Sequence, residues 1–187
     1  MGRSKAHLPF GKELMLQRVA RLLTQAVDPI VVVGASGQEL PSLPKNVNIV
    51  RDEIADRGPL QGIATGLRAL TGRCNAAFAT SCDVPLLQPQ FVDCMVSLLA
   101  NHRIAVPLVD NFYHPLSAVY RVDVLREVDA LLEADRLRPR FLFDTADTRT
   151  ITREDLLGAD PKLDSLRNCN RPEDYQQALS DAGLATL

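Results

Sequence analysis

The sequence predicts an α/β fold in which a mostly parallel sheet carries helices on both faces. Three observations predict it. Short β-branched apolar runs alternate with longer amphipathic stretches, which is the pattern of βα units. The strand candidates are continuously apolar, as strands buried on both faces are. At 187 residues, without an internal repeat or a linker-like shift in composition, the chain is long enough for one well-buried core and too short for two. Residues 1–187 are therefore expected to form a single domain.

The elements follow in order. Glu13 to Val27 places Leu16, Val19, Ala20, Leu23 and Val27 on one helical stripe. Asp28-Pro29 ends that helix, because a residue before proline is pushed out of the helical region. Ile30 to Val33 reads as a buried strand and Val47 to Val50 as a second, with a loop from Arg51 to Pro59. Leu60 to Leu70 is the next helix, stopped at Thr71-Gly72. Ala76 to Ala79 is a strand of small apolar residues that runs into Thr80-Ser81-Cys82-Asp83. A helix over Pro89 to Leu99 precedes strands over Ile104 to Pro107 and Leu116 to Tyr120, then a helix over Val122 to Ala134. A helical piece near Phe141, a strand near Ile151 and a strand-to-helix step over Leu166 to Leu179 complete the chain. A doubly wound sheet usually opens with a strand whose following loop cradles phosphate. This chain opens instead with residues like the tail of such a loop.

Composition excludes several classes of function. Hydrophobic residues make up 46% and charged residues 24%, which is globular rather than disordered. A net charge of −2 and a pI near 5.9 give no basic footprint, so no nucleic-acid partner is expected. Cys74, Cys82, Cys94 and Cys169 are too widely spaced for a two-knuckle metal site and read as free thiols of a reducing compartment. No apolar run approaches the ~20 residues that span a bilayer, and the charged start lacks the apolar stretch of a secretory signal. The expectation is a cytoplasmic protein without a membrane partner.

Asp83 is the first candidate for chemistry. A strand of small residues delivers its carboxylate to the strand's carboxyl end, where open α/β sheets bind ligands. A lone carboxylate there suits Mg²⁺, which takes one or two protein carboxylates plus waters and phosphate oxygens. An aspartate before Val84-Pro85 also suits a turn cap, so position alone leaves two readings. Gly58-Pro59 makes a tight turn ahead of Leu60-Gln61-Gly62, and Gly62 and Gly66 leave one helix edge bare. Amides at that helix start, with Asp52 after the second strand, are placed to hold a nucleotide's polar groups; ordinary loop-to-helix capping explains the same residues. Lys5 is a point charge suited to a phosphate, or a solvated side chain near a terminus. His114, fixed before Pro115, either reaches the active edge or is structural. Asn168 and Asn170 would share one face of a strand. Helix-start chemistry accounts for Pro172, Glu173 and Asp174 beyond them but not for the two asparagines.

Taken in order, MGRSKAHLPFG, IVVVGAS, VRDEIADRGPLQGIATGL, ATSCDVPLL, HPLSAVY and RNCNRPEDY cover nearly the whole chain. This ordered set resembles the molybdenum cofactor guanylyltransferases, within the nucleotidyltransferases of the sugar-nucleotide type. GPLQGI with HPLSAVY is more similar to the guanylyl than to the cytidylyl branch. The resemblance implies a Rossmann-like three-layer α/β/α fold and transfer of GMP from GTP to the terminal phosphate of molybdopterin. It implies that Lys5 contacts the triphosphate, that Asp52 and the Gly58, Pro59, Leu60 and Gly62 segment bind guanosine, and that Asp83 holds Mg²⁺. His114, Asn168 and Asn170 would lie towards the pterin. Cofactor-accepting apoenzymes or chaperones would be protein partners. Gly34 stands in the nucleotide site where the guanylyl branch often has asparagine. The family's first strand and glycine-rich loop have no counterpart here, so the expectation is a start codon upstream of Met1 or a shortened chain, with two strand edges left facing a gap. The alternatives are a nucleotidyltransferase for another base, such as CTP, or another acceptor, and a catalytically impaired nucleotide- or pterin-binding homologue.

Overall fold

The computed structural model describes residues 4–52, 54 and 57–184. The Met1-Gly2-Arg3 start of the first motif, and Glu53, Ala55 and Asp56 in the expected loop after the second strand, lie outside the described residues.

A 3-10 turn over Lys5–His7 leads into a small hairpin of β1 (Pro9–Phe10) and β2 (Glu13–Leu14), turned by Gly11 at φ +67°. Helix α1 (Met15–Leu23) follows, its start capped by the Gln17 carboxamide, which accepts from the Leu14 N–H at 2.9 Å. The helix stops four residues short of the predicted Val27, and a turn continues the chain to Asp28-Pro29. Strands β3 (Ile30–Ala35) and β4 (Val47–Asp52) pair in parallel, each two residues longer than its apolar run. Helix α2 (Gly58–Leu70) takes in the residues expected as a turn: Gly58 and Pro59 are its first turn, and Gly62 lies on its second.

Beyond α2 come β5 (Ala76–Thr80), α3 (Pro89–Leu99) and β6 (Ile104–Val109), then β7 (Phe112–Tyr113) and β8 (Ser117–Arg121). A 3-10 turn over Val122–Val124 precedes α4 (Leu125–Glu133), which splits the helix predicted over Val122 to Ala134. The chain ends through α5 (Arg140–Thr145), β9 (Thr148–Ile151), α6 (Arg153–Leu156), a 3-10 turn over Asp164–Leu166, and α7 (Pro172–Asp181). The strand expected before α7 is absent, and residues 167–170 form a connection outside any sheet, with a tight turn from Asn168 to Asn170.

The larger sheet runs β5-β8-β6, with β7 and β9 both pairing β6. Strands β5, β6 and β9 share one direction, while β8 and the short β7 run against it. The alternation of side chains across this sheet builds a three-layer molecule. Ile104, Val106, Ala118 and Tyr120 face α2, α4 and α5, where Leu60, Ile63, Val128 and Phe143 cover them. Ala105, Val119 and Ile151 face the opposite way, against Phe91, Val92 and Met95 of α3 and Leu156 of α6. Among the described residues β3 and β4 form a sheet of their own, unpaired with β5. A third cluster of Phe10, Met15, Leu86, Cys169 and Ala178 seals the two ends of the chain against the turn after Asp83.

Candidate functional site

The polar cluster is built around the turn that follows β5. Asp83 is 7% exposed, and three side chains donate to its carboxylate. Lys5 Nζ donates to Oδ2 at 2.6 Å, Asn168 Nδ2 to Oδ1 at 2.9 Å, and the Ser81 hydroxyl also to Oδ1. Burial, the largest single influence, pushes the carboxyl pKa up; the bonds from Lys5, Ser81 and Asn168 and the Lys5 charge outweigh it and hold it below the ordinary carboxylate value. Asp83 is therefore a charged, acceptor-only group on a mostly buried strand end. The capping alternative is not needed to account for it, because its side chain answers to distant residues.

Each partner is held from behind. Lys5 sits on a turn whose Ala6 is buried, and the following Phe10 packs edge-on against Tyr175. Arg18 lies over the Phe10 ring at 4.8 Å and donates from Nε to the Pro85 carbonyl at 2.6 Å, which ties α1 to the turn carrying Asp83. Lys5 is thus fixed rather than frayed, and it also donates to Asn170 Oδ1 at 2.6 Å. The asparagine segment docks through its backbone: Cys169 N–H donates to the Asp83 carbonyl at 2.8 Å while its thiol side is buried in the core. The Asn170 N–H donates to the Asn168 carbonyl at 3.1 Å across a tight turn at Cys169, and with Cys169 buried both asparagine side chains meet the Lys5–Asp83 pair. Asp174, in the first turn of α7, accepts from the Asn170 and Arg171 N–H groups and fixes where that segment ends.

A cavity of about 670 Å³ opens beside this cluster, and Ser81 and Cys82 line it. Gly34, Asp52, Gly58, Pro59 and Gly62 line it as well, so the structure gathers most of the expected nucleotide residues around one space. Leu60 departs from the expectation: it is fully buried in the core and does not line the cavity. Gly34 is kept small by a neighbour, since a Cβ there would lie 2.6 Å from Arg51 Nη1. Asp52 accepts from the Ile54 N–H at 3.2 Å. His114 is not drawn into the Asp83 cluster. Its N–H donates to the Pro107 carbonyl, its ring makes no hydrogen bond among the described residues, and burial lowers its pKa.

Sequence reasoning missed Ser81 and Arg18, while Asp174 plays the helix-start role expected of it. Ser81 stands two residues before Asp83, the spacing at which a hydroxyl can bond a neighbouring carboxylate, whereas Arg18 acts through the Pro85 carbonyl far along the chain. Among the described residues no group of three or more metal-ligating side chains forms. What the geometry offers a cation is one carboxylate beside an open cavity, the arrangement in which a hard metal completes its shell with phosphate oxygens and water.

Comparison with known proteins adds to this geometry. Residues 1–148 match the model of the MobA-like NTP transferase domain. A protein of Mycobacterium avium (strain 104) named "Probable molybdenum cofactor guanylyltransferase" is 38% identical over 156 residues, which are 81% of this chain and 78% of that one. One of the same name from Mycobacterium ulcerans is 36% identical over 161 residues, 83% and 78% of the two chains. Among solved structures, the molybdopterin-guanine dinucleotide biosynthesis protein A of Archaeoglobus fulgidus superposes with a TM-score of 0.78 at 18% identity, covering 97% of this chain and 92% of that one. The 2-C-methyl-D-erythritol 4-phosphate cytidylyltransferase of Thermus thermophilus gives 0.72 at 15%, covering 96% and 93%. Both share the fold.

Proposed function

Because the chain belongs to the MobA-like NTP transferase domain family and is a nucleotidyltransferase by that membership, we propose that it transfers GMP from GTP to the terminal phosphate of molybdopterin, with release of pyrophosphate. The observation that carries the reading is the buried Asp83 carboxylate with Lys5 and Asn168 on it, next in the chain to Ser81 and Cys82, which line one cavity with Gly34, Asp52 and the start of α2.

In this reading the acceptor phosphate attacks the α-phosphorus of GTP, a new P–O bond forms, and the bond to the β-phosphate breaks. The attacking group needs no general base, since the second pKa of a phosphate monoester is about 6. The work left to the protein is to bring two anions together and to bear the charge of the leaving group. Asp83 is the carboxylate that fits Mg²⁺, and the ion supplies charge neutralisation at the phosphates. Ser81 and Asn168 keep Asp83 ionised and oriented. Lys5, on a tethered turn, swings its ammonium from Asp83 to the triphosphate when nucleotide enters. Asp52, Gly58, Pro59 and Gly62 hold the guanosine end, near Gly34. Asn168, Asn170 and His114 are assigned to the pterin side. The whole chain acts as one catalytic domain in the cytoplasm and passes its product to cofactor-accepting apoenzymes. No helix among the described residues is long and apolar enough to cross a membrane.

Turnover tests this. The chain, supplied with MgCl₂, molybdopterin and either GTP or CTP, should release pyrophosphate and form the guanine dinucleotide with GTP in preference to CTP. Asp83→Ala should release none. A preference for CTP, or undiminished release by Asp83→Ala, overturns the assignment.

A further inference from the structure

The hairpin that joins β6 to β7 rises from the carboxyl edge of the larger sheet. Strand β5 delivers Asp83 at that same edge, because β5 and β6 share one direction. The hairpin turn is Asp110-Asn111, both left-handed at φ +51° and +65°, as a two-residue turn that matches strand twist requires. Two contacts brace it. Arg153 Nη2 donates to both carboxylate oxygens of Asp110 at 3.1 and 2.9 Å, and the Tyr113 ring packs on Phe143 at 5.0 Å between centroids. Phe112, which leaves this turn, is 73% exposed. A single apolar side chain on a surface calls for no explanation, but the direction of this one does. Phe112 pairs Val109, and the His114 N–H continues the same ladder to the Pro107 carbonyl at 2.9 Å. Phe112 and His114, two positions apart, therefore share the face of Val109. Val109 belongs to the core cluster that holds Val84 and Leu87, on which the Asp83 turn packs. The exposed ring thus stands on the Asp83 side of the sheet. It does not line the nucleotide cavity, whose wall the chain reaches only at Leu116.

We propose that Phe112 is the platform on which the flat bicyclic ring of the acceptor, a pterin, stacks during transfer. The assignment rests on the guanylyl-transfer reading and adds to it the residue that holds the far end of the acceptor. The acceptor's phosphate must reach the Asp83 centre, so its ring lies further out, clear of the nucleotide cavity. A heteroaromatic ring has π faces, and an aromatic side chain is the partner that serves them. Phe112 has two side-chain torsions on a braced turn, so stacking costs it little freedom. His114 on the same face has a ring without a hydrogen bond among the described residues, and burial keeps it neutral at pH 7. A neutral imidazole offers one donor and one acceptor, which suits the polar edge of a pterin. A docking protein would be met by a wider apolar patch than this one. Asp110 and Asn111, beside the ring, are exposed and polar.

The test uses the full chain. Phe112→Ala should raise the KM for molybdopterin at least ~10-fold and leave the KM for GTP within about twofold, as loss of one stacking contact does. Its unfolding midpoint should not move, because the ring is exposed. Phe112→Tyr should keep the KM for molybdopterin and Phe112→Leu should not, since leucine is apolar but has no π face. The chain contains no tryptophan, so Phe112→Trp supplies a sole indole at the platform. Neopterin monophosphate should quench its emission more than it quenches free N-acetyltryptophanamide, and glycerol 3-phosphate should leave it unchanged. This readout needs no turnover. A chain that prefers CTP yet shows the quenching supports the platform and overturns only the base assignment. Three outcomes overturn the platform itself, even where guanylyl transfer holds. One is an unchanged KM for molybdopterin in Phe112→Ala, with an indole that ignores the pterin. A second is full function in Phe112→Leu, which would mean a plain apolar contact. The third is normal pterin binding with slower delivery of product to an acceptor apoenzyme, which would mean protein docking.

Discussion

The ammonium of Lys5 lies 2.6 Å from Oδ2 of Asp83, on the side of the carboxylate that hydrogen bonds from Ser81 and Asn168 leave open. A cation bound at Asp83 must take the place of this ammonium, so the two compete. Lys5→Ala should therefore bind Mn²⁺ more tightly than the unaltered chain when no nucleotide is present. Turnover should fall by about 10–100-fold, the equivalent of one charged hydrogen bond. Calorimetric titration with MnCl₂ and a pyrophosphate-release assay read the two effects. Weaker metal binding by Lys5→Ala would contradict the competition.

Asn168 does not touch the side of Asp83 that faces Lys5; it orients the carboxylate from behind and donates to the Ser81 hydroxyl at 3.1 Å. Removing such a support weakens metal affinity by about 10–100-fold. Asn168→Ala is expected to raise the Mg²⁺ concentration needed for half-maximal turnover by that factor, with most activity recovered at high Mg²⁺. A fall in rate that added Mg²⁺ does not relieve would place Asn168 elsewhere in the mechanism.

Gly34 and Arg51 pair across β3 and β4, and the guanidinium donates to the carbonyls of Ala35 and Gln38 at 3.3 and 2.8 Å. The space a Cβ would need at position 34 is filled by Arg51 Nη1. Gly34→Ala should displace the guanidinium and cost about 1–2 kcal/mol, the worth of its hydrogen bonds. Adding Arg51→Ala should cost little more, because the conflict has already been removed. Urea denaturation of the two single variants and the double variant measures this, and strict additivity would show that the residues do not interact.

Burial lowers the His114 pKa, and the charge of Asp110 opposes it only in part. The unfolded chain, with a histidine pKa near 6.5, then binds more protons than the folded one at pH values between the two pKa values. Stability contributed by neutral His114 is fully present above that window and is lost as pH falls through it. His114→Gln should flatten the decline in urea midpoint between about pH 7.5 and pH 5.5. An unchanged slope would assign the decline to other groups.

Local chemistry in the sequence foretold the elements it controls. Pro89 opens α3 and the apolar run to Leu99 closes it at the predicted residues. Asp83 was legible because a strand of small residues ends just before it. The three-layer arrangement followed from continuous apolar strands between amphipathic helices. What stayed hidden depends on distant pairing. Nothing near β8 signals that it runs against β5 and β6, since a buried strand of either direction is continuously apolar. The β1–β2 hairpin offers two residues a side, too few to show alternation. For Asn168 and Asn170 the shared face was read correctly on a strand that does not exist; the buried Cys169 between them produces the same result. The Arg51 guanidinium over Gly34 is a packing relation that no single-residue preference announces.

The bonds from Lys5 to Asp83 and to Asn170 span 78 and 165 positions of the chain. On a ribosome, residues emerge in order, and a nascent chain that has already presented the first two of these groups still lacks the third. The Asp83 turn must wait for the asparagine segment and α7, whose Asp174 fixes it, before its carboxylate is clamped from both sides. Assembly of this cluster is therefore a late event of synthesis. A chain stalled before Asn168 would carry the strand with Asp83 and the cavity wall, yet would have no assembled centre.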